Sequence, residues 1–362
     1  MASLKTNNKR DAKDVQEFRG QILSWYDKHA RILPWRAEKG QKADPYHVWL
    51  SEIMLQQTTV GAVIPYFTKF LNKWPRIQDL AAAERDEIMS EWAGLGYYAR
   101  ARNLHKCAQV VTEELSGVFP QDEAALKALP GIGEYTSAAI AAIAFDRPAT
   151  VVDGNIERIM ARYFAVKDAV PGAKKILKSH AHYLSDGRKD RPGDYAQALM
   201  DIGASICTPR SPKCGLCPIN QKCKAHKQGI EEELPAREKK LAKPQKFGFV
   251  YWVQDKQGRV LLHRRSEKGM LGGMIGLPTS KWVERKKKRG VEHPDYLDGV
   301  AFETKAASIH HSFTHFDLEL ALKRAISVSV LETQDNYFWC DKSELKTIGF
   351  PSLFSKAIRL GG

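Results

Sequence analysis

The sequence predicts a two-domain chain, with an all-α domain followed by an α+β domain. Apolar residues recur at helical spacing from about residue 15 to residue 204, with no alternation between them. Residues 231–246 then change in character, with an acidic run, Leu234-Pro235 and a scatter of Lys and Arg, as an exposed linker does. From Phe247 the pattern turns to strands: 247–253, a turn at 255–258, then 260–265, 318–330 and 337–340. At 362 residues the chain is long enough to bury two cores, and it has no internal repeat.

In order, residues 1–14 are polar and read as a disordered tail. Residues 15–30 carry Val15, Phe18, Ile22 and Trp25 on a helix that Pro34 closes, which puts Trp35 and Arg36 on a loop. Such a pair suits a base, by stacking and hydrogen bonding, but a core Trp beside a surface Arg is the default expectation. Asp44 caps the next helix and Pro45 takes its first position. That helix sets Glu52 on a stripe with Val48, Trp49 and Leu55, so burial should raise the pKa of its carboxyl. The competing reading is a Glu at a helix edge whose head reaches water. Gln57 and Thr58 at the end of the helix suit base edges or a solvated terminus.

Helices are predicted at 60–74, 84–92, 99–115 and 122–129. Between two of them, Gly94-Leu95-Gly96-Tyr97 allows close backbone approach and offers an exposed Leu or Tyr as a wedge in a base stack; a plain connecting loop is the alternative. The segment Leu129-Pro130-Gly131-Ile132-Gly133 is a turn into the helix of 136–145, and amides at a helix start attract an anion. Asp153 precedes another periodic run, where a helix N-terminus favours its anionic form. A simple turn and N-cap would look the same. Two further helices, 171–184 and 193–204, lead to Cys207, Cys214, Cys217 and Cys223, four thiols within 17 residues. Such a cluster calls for a metal, and its spacing alone leaves structural zinc open. Cys107 and Cys340 read as ordinary buried thiols.

Lys and Arg total 56 against 42 Asp and Glu, a formal charge of +14 that favours a polyanion such as nucleic acid over a membrane surface. The basic run 285–289 reads as a solvated loop. The N-terminus lacks the apolar core of a signal peptide and no apolar run is long enough to span a bilayer, so the expected setting is cytoplasmic, or nucleoid-associated in a bacterium.

Taken together, Leu33-Pro34-Trp35-Arg36, the run from Ser51 to Thr58, Gly94 to Arg100, Gly131 to Thr136, Val152 to Asn155 and the four cysteines closely resemble the A/G-specific adenine DNA glycosylases of the MutY type. The resemblance covers about residues 15–223. It implies a helix-hairpin-helix glycosylase domain over 15–230 with a [4Fe-4S] cluster on the four cysteines. The C-terminal part, 247–362, is similar to that family's Nudix-like domain, with Phe313-Thr314-His315 where Phe-Ser-His is usual. The implied reaction is excision of adenine mispaired with 8-oxoguanine or guanine in double-stranded DNA, by a monomer. By position, Glu52 resembles the acid that protonates adenine N7, and Asp153 the carboxylate that stabilises or captures the sugar cation. Tyr135 and Asn155 resemble their supports, Trp35 and Arg36 the adenine pocket. Gln57, Thr58, Leu95 and Tyr97 resemble the residues that probe or wedge beside 8-oxoguanine, while Gly131 and Gly133 belong to the hairpin that meets the DNA backbone.

Three other readings stand beside this one. A lyase of the same superfamily would carry lysine where Tyr135 stands, and no amine is there for a Schiff base. A non-catalytic iron-sulfur DNA-binding protein would keep hairpin and cysteines without needing Glu52 and Asp153 together. Nucleotide hydrolysis by the C-terminal domain would need a Gly-x5-Glu-x7-Arg-Glu-x2-Glu-Glu run to hold magnesium, and none lies between Gly269 and Val300.

Overall fold

The computed structural model describes residues 8–187, 189–238, 242–285, 291, 293–329 and 336–362. Half of the expected tail, most of the basic run 285–289 and part of the linker lie outside them. The chain forms two compact units, one of residues 1–81 with 106–239, the other of 82–105 with 240–362. Among the described residues no helix is long and apolar enough to cross a membrane.

The helices run α1 (Asn8–His29), α2 (Pro45–Leu55), α3 (Val60–Lys73), α4 (Ile77–Ala82), α5 (Arg85–Glu91), α6 (Ala99–Glu114), α7 (Glu123–Ala128), α8 (Glu134–Phe145), α9 (Gly154–Phe164), α10 (Lys174–Ser185), α11 (Pro192–Ser205) and α12 (Lys224–Gln228). Helix α1 begins inside the stretch read as a tail. One reason is local: Lys222 Nζ reaches Asp14 and Glu17 at 2.8 Å each, which ties the early turns down. Among these helices, periodicity missed α4 and α12, which have six and five residues, too few to show a period.

Helix α8 organises the first unit. Its sequence is almost all small or apolar, and Thr136 through Ala142 are buried without a break. A helix apolar on every side packs on every side. Here α2, α7 and α11 all lie against it. Alanines let those neighbours come close, and a Cβ added at Gly193 of α11 would stand 2.7 Å from the Ala142 carbonyl oxygen. Glu52 and Asp201 ride on the two helices, α2 and α11, that this close packing brings to α8.

The second unit is a mixed sheet of β1 (Gln245–Asp255), β2 (Val260–Arg264), β3 (Ile275–Gly276), β4 (Val283–Glu284), β5 (Glu303–Ser312), β6 (Asp317–Val328) and β7 (Tyr337–Cys340), followed by α13 (Ser352–Gly361). Along its main path the order is β3-β2-β1-β6-β5, with β1 and β6 parallel and the other pairs antiparallel. Strand β1 is central in the sheet, and both of its faces are covered. Val250 and Trp252 join the core that α13 closes with Leu353, Phe354 and Ala357. Tyr251 and Val253 point the other way, into a smaller cluster with Leu261 and Leu297. A strand buried on both faces reads as a near-continuous apolar run, as this one does.

Residues 82–105 depart from the expected boundary, which placed them in the helical domain. Asp86 pairs with Arg264 at 2.6 Å and Arg85 with Glu267 at 2.6 Å. A Cβ at Gly349 would lie 2.3 Å from Ser90 Cα, a packing contact that tolerates no side chain. Truncation near Pro235 therefore removes the partners of this segment. Amide hydrogen exchange in the truncated chain is expected to speed up selectively over residues 82–105 while α8 and α11 stay protected. Unchanged protection across 82–105 would contradict this assignment.

Candidate active site

Glu52 stands in the third turn of α2, 5 % exposed. Its Oε2 is buried and has no hydrogen-bond partner among the described residues. Burial raises its pKa to about 7; the Tyr135 hydroxyl and the Arg36 guanidinium pull it down, and Asp153 pushes it further up. The carboxyl is thus poised to hold its proton near neutrality and to give it up. The expected apolar stripe is present: Val48 and Trp49 are buried beside it.

Asp153 is the N-cap of α9. Its Oδ1 accepts from the Ile156 amide at 2.7 Å and its Oδ2 from Asn155 Nδ2 at 2.8 Å. The sequence argument expected these donors and the helix terminus to favour the anion. The donors are there, but burial outweighs them and the pKa lies above the ordinary aspartate value. What separates the two carboxyls is therefore their hydrogen bonding. Asp153 has donors on both oxygens, whereas Glu52 Oε2 has none.

Trp35 is buried, edge-on to Phe67 at 5.3 Å between ring centroids. Arg36 is mostly covered too, so the expectation of a surface Arg is corrected. The cause is Asp201 of α11, a fully buried carboxylate that takes both terminal nitrogens of Arg36 at 2.7 Å. Arg31, Trp35, Arg36, Glu52, Gln197 and Met200 are among the residues lining a cavity of about 40 Å³. Asp201, Arg31 and Gln197 were missed from the sequence, although a lone carboxylate inside the apolar run Leu199-Met200-Asp201-Ile202 was a usable signal.

The hairpin comes as expected. Helix α7 ends at Leu129, Gly131 takes the left-handed φ of 76°, and Gly133 is the N-cap of α8. A Cβ at Gly133 would meet nothing within 4 Å, and Gly133 and Glu134 are exposed at the start of α8. That is a site for a phosphate. Gln57 also has a left-handed φ, of 58°, and is exposed just past α2, while Thr58 turns its hydroxyl back to the Gln56 carbonyl at 3.3 Å.

Helix α9 also runs from the carboxylate to the cysteines. Arg158 donates to Asn155 Oδ1 at 2.8 Å and to the Cys207 carbonyl at 2.6 Å, and Arg162 Nη1 reaches Cys207 Sγ at 3.3 Å. A Cβ at Gly203 would lie 2.5 Å from Asn155 Cβ, so α11 presses directly on this relay. The four thiols of Cys207, Cys214, Cys217 and Cys223 line one cavity with Arg162. Burial first, then the neighbouring cysteines and, for Cys214, Glu231, hold the Cys217 thiol up at about 12 and Cys214 at about 11. Such thiols ionise together only when a metal carries the charge, and an all-sulfur donor set suits an iron-sulfur cluster. Bound there, a cluster supplies a rigid tie across the loop.

In the second unit, Leu95 is only 7 % exposed, which corrects its reading as an exposed wedge: the turn packs it inward while Tyr97 stays out. Tyr97 takes a φ of 50° and its hydroxyl lies 3.1 Å from that of Thr314. Phe313 to Phe316 form a tight turn, with Phe313 packed against Trp282 and Phe316, so Thr314 and His315 are displayed. Together with Gly94, Arg100 and Leu271 they border a cavity of about 680 Å³.

Comparison with known proteins agrees with this architecture. Residues 50–184 match the HhH-GPD superfamily of base excision DNA repair proteins, 207–223 the iron-sulfur binding domain of endonuclease III, and 249–360 the NUDIX domain. The chain carries a [4Fe-4S] cluster in that loop. A solved thermostable thymine-DNA glycosylase aligns with 60 % of this chain and 98 % of its own, at 30 % identity and a TM-score of 0.53. The adenine DNA glycosylase of Homo sapiens is 45 % identical over 63 % of this chain, and that match spans 42 % of the human protein. The chain thus spans under half the length of the mammalian relatives it matches. The adenine DNA glycosylase of Buchnera aphidicola subsp. Schizaphis graminum is 34 % identical over 94 % of this chain and 97 % of its own length. With that full-length relative, and with the hairpin, the paired carboxyls and the cysteine loop on one scaffold, the chain belongs to the adenine DNA glycosylase family.

Proposed function

We propose that the chain excises adenine paired with 8-oxoguanine or guanine in duplex DNA, as a monofunctional glycosylase acting as a monomer in the cytoplasm, on the nucleoid in a bacterial cell. One observation carries the chemistry: a buried carboxyl with an unpartnered oxygen, Glu52, beside a carboxyl with donors on both oxygens, Asp153. Adenine leaves poorly until protonated. Glu52 gives its proton to N7, the C1′–N9 bond breaks with its electron pair passing to the base, and Asp153 stabilises or captures the sugar cation before water adds at C1′. Tyr135 and Asn155 hold the two carboxyls in place. The hairpin amides at Gly131 and Gly133 grip the backbone, and Cys207, Cys214, Cys217 and Cys223 are the ligands of the cluster. The +14 charge supports a DNA partner.

Opposite-base reading falls to Gln57 and Thr58 and, in the second unit, to Tyr97 and Phe313-Thr314-His315, while buried Leu95 packs behind Tyr97. Exposed Thr314 keeps the hydroxyl that a serine would offer there.

Replacing Glu52 by Gln, or Asp153 by Asn, is expected to lower single-turnover adenine release by about 10²–10⁴-fold or more while mismatch binding persists. Near-normal release by either variant would sink these roles. Thr314→Val should lower discrimination between 8-oxoguanine and guanine opposite adenine by roughly 5- to 100-fold, the loss of one good base-edge hydrogen bond. An unchanged ratio of excision rates would remove Thr314 from recognition. Protein prepared without oxygen should contain about four irons per chain, and Cys217→Ser should lower that content; one zinc and no iron would contradict the ligand set.

A further inference from the structure

Asp201 lies on α11 with its carboxylate fully buried, and four nitrogens converge on it. The Arg31 amide donates at 3.0 Å and Arg31 Nε at 2.6 Å. Arg36 gives Nη1 and Nη2 at 2.7 Å each, and Nη1 also reaches the Arg31 carbonyl at 3.1 Å. Two arginines therefore hold one carboxylate between them. A second carboxyl, that of Glu52, lines the same cavity as Arg36 and lies within its field. A guanidinium fork fits either carboxylate equally well in shape, and the fork it makes fixes which of them stays charged. Here the fork goes wholly to Asp201, and Glu52 Oε2 keeps no partner.

We propose that Asp201 is a positioning residue for the reaction: by occupying the terminal nitrogens of Arg36 it keeps that guanidinium from forking onto Glu52, and so leaves the Glu52 carboxyl unpaired and able to carry a proton to the base. The inference rests on the reading of Glu52 as the acid. The groups that face Glu52 are Arg36 from the loop after α1, Tyr135 from α8 and Asp153 from the start of α9, and Arg31 of the same loop lines the shared cavity. Of the two cations Arg36 is the one whose charge pulls on Glu52, and Asp201 holds both. Without Asp201, the remaining anion within reach of Arg36 is Glu52. A direct ion pair favours the ionised acid, so the proton would be lost at lower pH.

The test is the pH dependence of single-turnover adenine excision on an A:8-oxoguanine duplex, with thermal melting of each variant recorded to confirm folding. In wild type the rate should fall as pH rises through the Glu52 value of about 7. Asp201→Asn keeps shape and removes charge. Its alkaline limb should move to lower pH by about one unit or more, with roughly tenfold loss at neutral pH and recovery toward the wild-type rate in acid. Asp201→Glu, which restores the carboxylate, should return the limb toward wild type. In Asp201→Asn with Arg36→Gln the acidward shift should vanish, because the competing cation is gone.

A uniform loss across pH, or an unmoved limb in folded Asp201→Asn, would overturn the proposal and leave Asp201 a purely structural clamp. Arg36→Gln alone provides an arm that does not depend on Asp201→Asn folding. It should move the limb to higher pH, and an unmoved limb there would also overturn the proposal. Glu52→Gln is measured alongside. Activity retained in that variant would defeat the acid assignment itself, whereas an inactive Glu52→Gln with an unmoved Asp201→Asn limb defeats this inference alone.

Discussion

The desolvation of one carboxyl sets the terms for the rest of the site. Glu52 is enclosed with an oxygen that nothing among the described residues satisfies, and an unsatisfied buried polar atom of this kind costs about 1–3 kcal/mol. Keeping it neutral is the cheaper state, and neutrality is what a proton donor requires. The fold must therefore hold cations away from that oxygen while holding the walls close. Helix α8 does the second by its small side chains, which let α2 and α11 approach on either side. Asp201 does the first by engaging Arg31 and Arg36.

Asp153 is the counterpoint, since it is also largely desolvated yet held by an amide and a side-chain amide. Those bonds fix its orientation more than they lower its pKa. The same helix then passes the constraint on, through Asn155 and Arg158 to the backbone of Cys207, and Arg162 reaches the sulfur itself. The cluster loop and the capping carboxylate are thus parts of one hydrogen-bonded body. Anything that loosens the loop loosens the N-cap of α9.

Most of the first unit was legible in the sequence because its helices carry clear periods and its turns carry Pro and Gly where the backbone needs them. Glu52 could be placed on an apolar stripe by counting along α2. Contacts between distant segments could not be read in this way. Asp201 lies 165 residues from Arg36, and neither carries a local mark of the other. Leu95 illustrates the same limit, since a Gly-Leu-Gly turn reads as exposed until packing decides which side chain goes inward. In the second unit, β5 escaped notice because Thr304-Lys305-Ala306-Ala307 lacks the large alternating residues of a strand, whereas α13 was missed although Pro351 marks its start and Leu353, Phe354, Ala357 and Ile358 recur at helical spacing. The membership of residues 82–105 escaped for a different reason: it depends on Asp86–Arg264 and Arg85–Glu267, pairs of exposed charges that no pattern singles out.

The central claim is that burial, rather than substrate binding, tunes Glu52, so it should be visible in the free protein. Titration of the chain labelled with carbon-13 at the glutamate side-chain carboxyls, with Glu52→Gln used to assign the resonance, measures this directly. A midpoint near 7 for Glu52, well apart from the other glutamates, is the expected result. A midpoint in the ordinary carboxylate range, about 4 to 4.5, would contradict the account.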